Sequence, residues 1–302
     1  MPELLICGGT GSLGGRIAAR LAAAGVPFRA LVRPTSDGSA LAGLGADVVA
    51  GDLTEPGGLA RAVTGVRTVL TTANAVGRWR PGARDVSIGR VDRDGTASLV
   101  RAAEAAGVER FVFVSALTGD EATADLVPLF AAKKATEELL QRSRMRSVVV
   151  RPAAFQEVWL SPAVGIRPDA RRAIVLGRGR NPVPYVAEDD VAEACVRVAT
   201  MADPPGSVDF GGPEPLTRHE VVDAFERALG ARFRRVVVPR PVLAAGARAL
   251  RRRAPELATG LGIAVSMDVS SYPGPEALSA MGIRPRPASD LIAALAAGRT
   301  TG

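Results

Sequence analysis

The sequence is poor in the residues from which metal and disulfide sites are built, with two cysteines, Cys7 and Cys195, and one histidine, His219, in 302 residues. The cysteines lack the paired spacing that a zinc site or a disulfide framework needs, so no metal is expected and a reduced, cytoplasmic compartment is. Long apolar runs are missing too. Leu4-Leu5-Ile6-Cys7 has no basic leader, is far shorter than a signal-peptide core or a membrane span, and reads as a first strand. Aromatic residues make up only 4% of the chain. The densest basic stretch, from Arg232, Arg234 and Arg235 through Arg240 to Arg251, Arg252 and Arg253, therefore has few rings to stack on bases. It reads as a solvated or lid-like face, and no nucleic-acid partner is expected. Lysine is nearly absent: 36 of the 38 basic residues are arginine, and Lys133 and Lys134 are the exceptions.

What is present is the composition of a globular protein, 47% hydrophobic and 23% charged. The first half alternates short β-rich runs with helical patterns, which predicts an α/β fold with a doubly wound parallel sheet. Strands are expected near 3–7, 28–32, 47–50, 66–71, 110–115 and 147–151, with helices over 12–24, 56–63, 92–106 and 126–142. After Arg151 prolines become denser and the alternation stops. This places a nucleotide-binding domain at 1–151 and a smaller α/β substrate-binding or lid region at 152–302. Within the latter, Thr217 and Glu220 form a Thr-x-x-Glu capping box before a helix over 218–229, with His219 in its first turn as a surface residue.

The first strand is followed at once by Gly8-Gly9-Thr10-Gly11-Ser12-Leu13-Gly14 and an apolar helical run. Glycines 8, 11 and 14 permit a tight turn, close backbone approach to a pyrophosphate and close helix packing, while the helix amino terminus offers N–H groups to the anion. Folds of this kind that take NAD put a carboxylate at the end of the second strand to hold the ribose 2′-hydroxyl. Here that position is Arg33, with no acid before Asp37, and a guanidinium suits a 2′-phosphate. The expected cofactor is NADP(H) in preference to NAD(H). Asp52 in Gly51-Asp52-Leu53 reads equally as an acceptor for the adenine amino group and as a helix cap before Pro56.

These residues, together with DGTASLVRAAEAAGVERFVFVSA, AAKKATEELL, Arg151-Pro152-Ala153-Ala154-Phe155, the run Tyr185 to Ala192 and Gly211-Gly212-Pro213-Glu214, resemble the NmrA-like group of atypical short-chain dehydrogenase/reductases over nearly the whole chain. The resemblance implies a cofactor laid across strand ends. Leu53 would lie beside Asp52, Thr72, Ala73, Asn74 and Ser115 near the nicotinamide, and Pro152, Ala153 and Phe155 would close over it. It also implies a Tyr-x-x-x-Lys pair. Aligned on Glu137 and Arg151, the lysine is Lys133 and the tyrosine position holds Leu129; the alternative register through Lys134 gives Phe130.

Neither Leu129 nor Phe130 can transfer a proton. Lys133 is then the expected catalytic group and also a cofactor ligand, since a desolvated lysine can release a proton as arginine cannot. The competing reading is a solvated helix face that pairs with Glu137 at i, i+4. For substrate, Trp79, Gln156 and Trp159 are the candidates, with core packing as the alternative for both tryptophans, and Asp190 is expected to cap a helix. The expected activity is NADPH-dependent reduction of a small carbonyl, quinone or enone by a monomer or homodimer. The alternative is a redox sensor or assembly protein that binds NADP(H) without turnover.

Overall fold

The computed structural model describes residues 2–76, 87–119 and 121–298. Strand β1 (Leu4–Cys7) is buried along its length and leads into α1 (Ser12–Ala23), which buries Leu13, Ile17, Ala18 and Leu21 at helical spacing. The alternation continues through β2 (Phe28–Val32), α2 (Ser39–Gly43), β3 (Asp47–Ala50), α3 (Pro56–Val63) and β4 (Thr68–Thr71). A π-helical stretch at Gly89–Gly95 then runs into α4 (Thr96–Ala105), so the helix expected from residue 92 begins earlier and in wider-wound backbone. Gly95 suits that winding, because a Cβ there would meet Arg90 O at 2.9 Å. Next come β5 (Arg110–Val114), α5 (Glu121–Ala124), α6 (Pro128–Gln141), β6 (Arg146–Pro152), α7 (Gln156–Trp159), β7 (Ile166–Arg167), β8 (Arg172–Leu176) and β9 (Val183–Pro184). The chain continues with α8 (Glu188–Thr200), β10 (Ser207–Phe210), β11 (Pro215–Leu216), α9 (Arg218–Leu229), β12 (Arg234–Val238), α10 (Arg240–Leu250), α11 (Pro255–Met267), α12 (Glu276–Ala280) and α13 (Ala288–Ala296).

Seven strands form one sheet in the order β3-β2-β1-β4-β5-β6-β10, and β1 to β6 pair in parallel. The order reverses at β1 and β4, the switch point outside which such sheets bind ligands. Cys7 stands opposite both Leu31 and Thr71, so β1, β2 and β4 end level and present their following loops together.

The chain divides into two compact units, neither continuous in sequence. The first runs to Ala116 and takes in Leu129–Arg151 and Val191–Val208; the second comprises Leu117–Pro128, Pro152–Asp190 and the chain from Asp209. In the second unit β8 pairs antiparallel with β7 and parallel with β12, while β9 and β11 form a separate antiparallel pair. Its core gathers Tyr185, Val221, Val222, Phe225, Phe233 and Ile292. The Thr217–Glu220 capping box is present: the threonine hydroxyl accepts from Glu220 N at 3.1 Å and the glutamate from Thr217 N at 2.8 Å. Among the described residues no helix is long and apolar enough to cross a membrane.

Candidate functional site

The glycine turn is built as its spacing requires. Gly8 has φ +93°, and a Cβ there would lie 2.7 Å from Thr72 Oγ1 and 2.8 Å from Ala73 N, so the loops after β1 and β4 touch through this residue. A Cβ on Gly14 would lie 2.1 Å from Gly8 O, which fixes the amino-terminal turn of α1 directly against the loop. Gly11 N donates to Gly8 O at 3.0 Å and closes the turn. Gly11 is the cap residue of α1 and has no side-chain acceptor to offer, and the first turn contains no acid to repel an anionic ligand. Thr10 and Ser12 lie exposed in this turn, and Leu13 is buried beneath it. The cradle fits a dinucleotide phosphate group.

Arg33 lies half-buried just beyond β2, and its guanidinium has no hydrogen-bond or ion-pair partner among the described residues. Arg29 on the same strand is consumed structurally, by Asp47 at 2.7 Å and by the carbonyls of Ala62 and Thr64. The first carboxylate after Arg33, Asp37, accepts from Ser39 N at 2.8 Å, and this bond lowers its pKa. Asp52 is not the cap of α3. Its Oδ1 accepts from Thr54 N and Thr54 Oγ1, closing the turn before the helix, whose cap residue is Glu55. Leu53, buried, packs where a Cβ on Gly95 would meet it at 3.0 Å.

At the next strand ends Thr72 N donates to Cys7 O at 2.9 Å, Asn74 Nδ2 donates to Thr72 O at 3.2 Å, and Ala73 is buried between them. One residue further on, Ala75 N donates to the buried carboxylate of Asp92, which the π-helical stretch delivers here. Lys133 on α6 is buried, whereas Lys134 is exposed, so the two lysines are physically unlike. The Lys133 ammonium donates to Val114 O at 2.8 Å and stands 5.1 Å from the centre of the Phe113 ring. Burial pushes its pKa below the usual lysine range, opposed by the negative charges of Asp92 and Glu137. Glu137 is turned elsewhere: it accepts from the Ser115 hydroxyl and from Arg151 Nε at 3.1 Å, with a second bond from Arg151 Nη2. The reading of Lys133 as a solvated face is thereby corrected. Leu129, one turn earlier, is buried.

The sequence pairs Glu137 with Lys133 and not with Arg151, and it does not single out Asp92. Their polar partners lie 14 and 17 residues away along the chain and leave no local pattern.

The remaining candidates lie in the second unit. Pro152 and Ala153 are buried, Ala153 N donates to Phe210 O at 2.8 Å, and Phe155 forms a bridge with Val186. Gln156 is buried, and its Nε2 donates to Tyr185 O at 3.1 Å and Arg286 O at 3.0 Å. Trp159 packs against two hydrophobic clusters and borders a cavity of about 30 Å³, the room of one or two waters. Trp79, with Arg78 and Arg80, lies outside the described residues. Asp190 lies inside the first turn of α8 instead of capping it, and accepts from Arg286 N at 2.7 Å.

Buried Arg218 also drew no notice in the sequence. It donates to Ile174 O at 3.2 Å, Val164 O at 2.8 Å and Trp159 O, and tethers three backbone segments. Among the described residues no group of three or more histidine, cysteine or acidic side chains could hold a metal ion.

A family model described as NAD(P)H-binding matches residues 8–202. Photosystem II assembly factor Ycf39 of Trieres chinensis is 29% identical over 76% of this chain and 69% of its own length. A second relative, an Arabidopsis thaliana chloroplast protein named for a high chlorophyll fluorescence phenotype, is 30% identical over 80% of this chain, which spans only 59% of that protein. An NAD(P)H azoreductase of Xenophilus azovorans is 30% identical over 78% of this chain and 77% of its own. The solved structure of an NADPH-dependent quinone oxidoreductase from Escherichia coli, complexed with NADPH, superposes with TM-score 0.76 at 21% identity, covering 97% of this chain and 99% of the other. With the family model over the phosphate cradle and the azoreductase alignment over most of both chains, this chain belongs to the NAD(P)H-binding family.

Proposed function

We propose that the chain is an NADPH-dependent reductase of a small carbonyl, quinone or enone in which Lys133 manages the proton without a phenol. The observation that carries this reading is the burial of Lys133 at the end of β5, bonded to Val114 O and charge-matched by Asp92, where Leu129 replaces the usual proton donor. In this reading Gly8, Thr10, Gly11, Ser12, Leu13 and Gly14 hold the diphosphate. Arg33 binds the 2′-phosphate, and Asp52 and Leu53 flank the adenosine. Thr72, Ala73, Asn74 and Ser115 line the nicotinamide side.

Bound NADPH supplies a hydride. An acceptor oxygen that gains the electron pair needs a proton, and the Lys133 ammonium, made more acidic by burial against the opposing charges of Asp92 and Glu137, can give one and be recharged through water. Purified protein is expected to oxidise NADPH with at least one member of a quinone and enone panel, and Lys133→Ala to abolish turnover while NADPH affinity, reduced by the loss of one cofactor contact, stays mostly intact. Full turnover by the folded variant overturns the assignment.

A second reading, a redox sensor or assembly protein, is favoured by the same apolar Leu129 and by the assembly-factor relatives. It requires a large affinity difference between NADP⁺ and NADPH, with no turnover on any acceptor.

A further inference from the structure

Residues 231–257 hold eight arginines and one acid, Glu256, a net charge of +7, which is the formal charge of the entire chain. The other 30 basic and 30 acidic residues cancel. Two of the eight arginines are matched: Arg235 pairs with Asp223 and Glu226, and Arg240 lies 3.7 Å from Asp268. The other six, Arg232, Arg234, Arg248, Arg251, Arg252 and Arg253, are exposed; Arg232 lies within electrostatic reach of Glu226, and the remaining five have no acidic partner among the described residues.

The same segment carries the three most exposed large hydrophobic residues described: Val242 at 58%, Val237 at 55% and Leu257 at 44%. Helical geometry explains how charge and apolar surface come together. The inner face of α10 buries Leu243 and Ala247 in a cluster with Ala264 and Val265 of α11. Its outer face, at i, i+3, i+4 spacing, presents Val242, Ala245, Arg248 and Ala249 to solvent, and Arg251–Arg253 follow its carboxyl end. Burying an apolar stripe while spreading guanidinium groups around it is the chemistry of a surface that lies on anionic lipid, where arginine forks phosphate oxygens. Nucleic acid fits less well: the single aromatic ring in the segment, Phe233, is buried and offers no stacking face.

We infer that the α10 face, with the arginines at its carboxyl end and Leu257, is a peripheral docking surface for an anionic lipid membrane. At about fivefold in affinity per arginine near a charged bilayer, loss of three should weaken binding on the order of 100-fold. The test is co-sedimentation of the full chain with phosphatidylglycerol/phosphatidylcholine vesicles and with pure phosphatidylcholine vesicles. Binding is expected only to the anionic vesicles, and it should weaken as salt rises. An Arg251→Gln/Arg252→Gln/Arg253→Gln variant should lose about 100-fold, and Val242→Ser/Leu257→Ser should lose binding even at low salt, both with unchanged melting temperature and NADPH affinity. Absence of anionic-vesicle binding by the parent chain, equal binding by the triple variant, or tight binding of duplex DNA with none to vesicles overturns the inference.

Discussion

Replacing Arg33 with alanine separates cofactor choice from folding, because the guanidinium touches no acceptor among the described residues. With no contact to lose, folding stability should change by no more than about 0.5 kcal/mol, the range of an ordinary surface substitution. The expected change in affinity is larger. A hydrogen bond to a charged group contributes about 1.5–3 kcal/mol, and a half-exposed guanidinium on a phosphate belongs near the lower end because solvent screens it. A loss of about 2 kcal/mol is roughly thirtyfold in Kd. NADH has no 2′-phosphate and should bind the variant and the parent alike. Calorimetric titration of both proteins with NADPH and NADH, at low and at moderate salt, reads all four affinities. Only the parent's NADPH affinity should fall steeply with salt. Equal loss for both dinucleotides would mean that the loop had been distorted, and no loss for either would mean that Arg33 contacts neither; each result refutes the phosphate assignment.

Two neighbouring glycines should respond oppositely to alanine. Gly14→Ala drives a Cβ to 2.1 Å from Gly8 O and should cost about 1–3 kcal/mol, with dinucleotide affinity lost, whereas the Gly15 Cβ meets nothing nearer than 3.6 Å and Gly15→Ala should raise the melting temperature through helix propensity. Cys7 and Cys195 are fully buried, and burial pushes both thiols up to about 12. Because a raised folded pKa contributes stability below the unfolded value of about 9 that is lost as pH rises toward 12, native protein should resist thiol reagents at pH 8 and melt progressively earlier above pH 9, less so in a Cys7→Ala/Cys195→Ala variant. Arg218→Leu leaves three part-buried carbonyls without their donor and should cost about 3 kcal/mol in chemical denaturation; a change below about 1 kcal/mol would show that these bonds are replaced by water.

Local chemistry alone determined much of this protein. The period of apolar residues wrote the strands and helices, because burial on one face must match the geometry of each element. The glycines at 8, 11 and 14 wrote the phosphate turn, because only a residue without a Cβ fits 2.1 Å from a carbonyl oxygen. The Thr217–Glu220 cap was legible for the same reason: its partners are three residues apart. Spacing to Glu137 and Arg151 favours Lys133 over Lys134, but only tertiary structure buries it, since the two differ in the direction α6 turns them. Tertiary structure also brought Asp92 to Ala75, Arg151 to Glu137 and Arg218 to three distant carbonyls, and it turned the apolar outer face of α10 toward solvent among arginines that have no acidic partner among the described residues. Such contacts depend on where separate elements meet, and no pattern of neighbouring residues specifies that meeting.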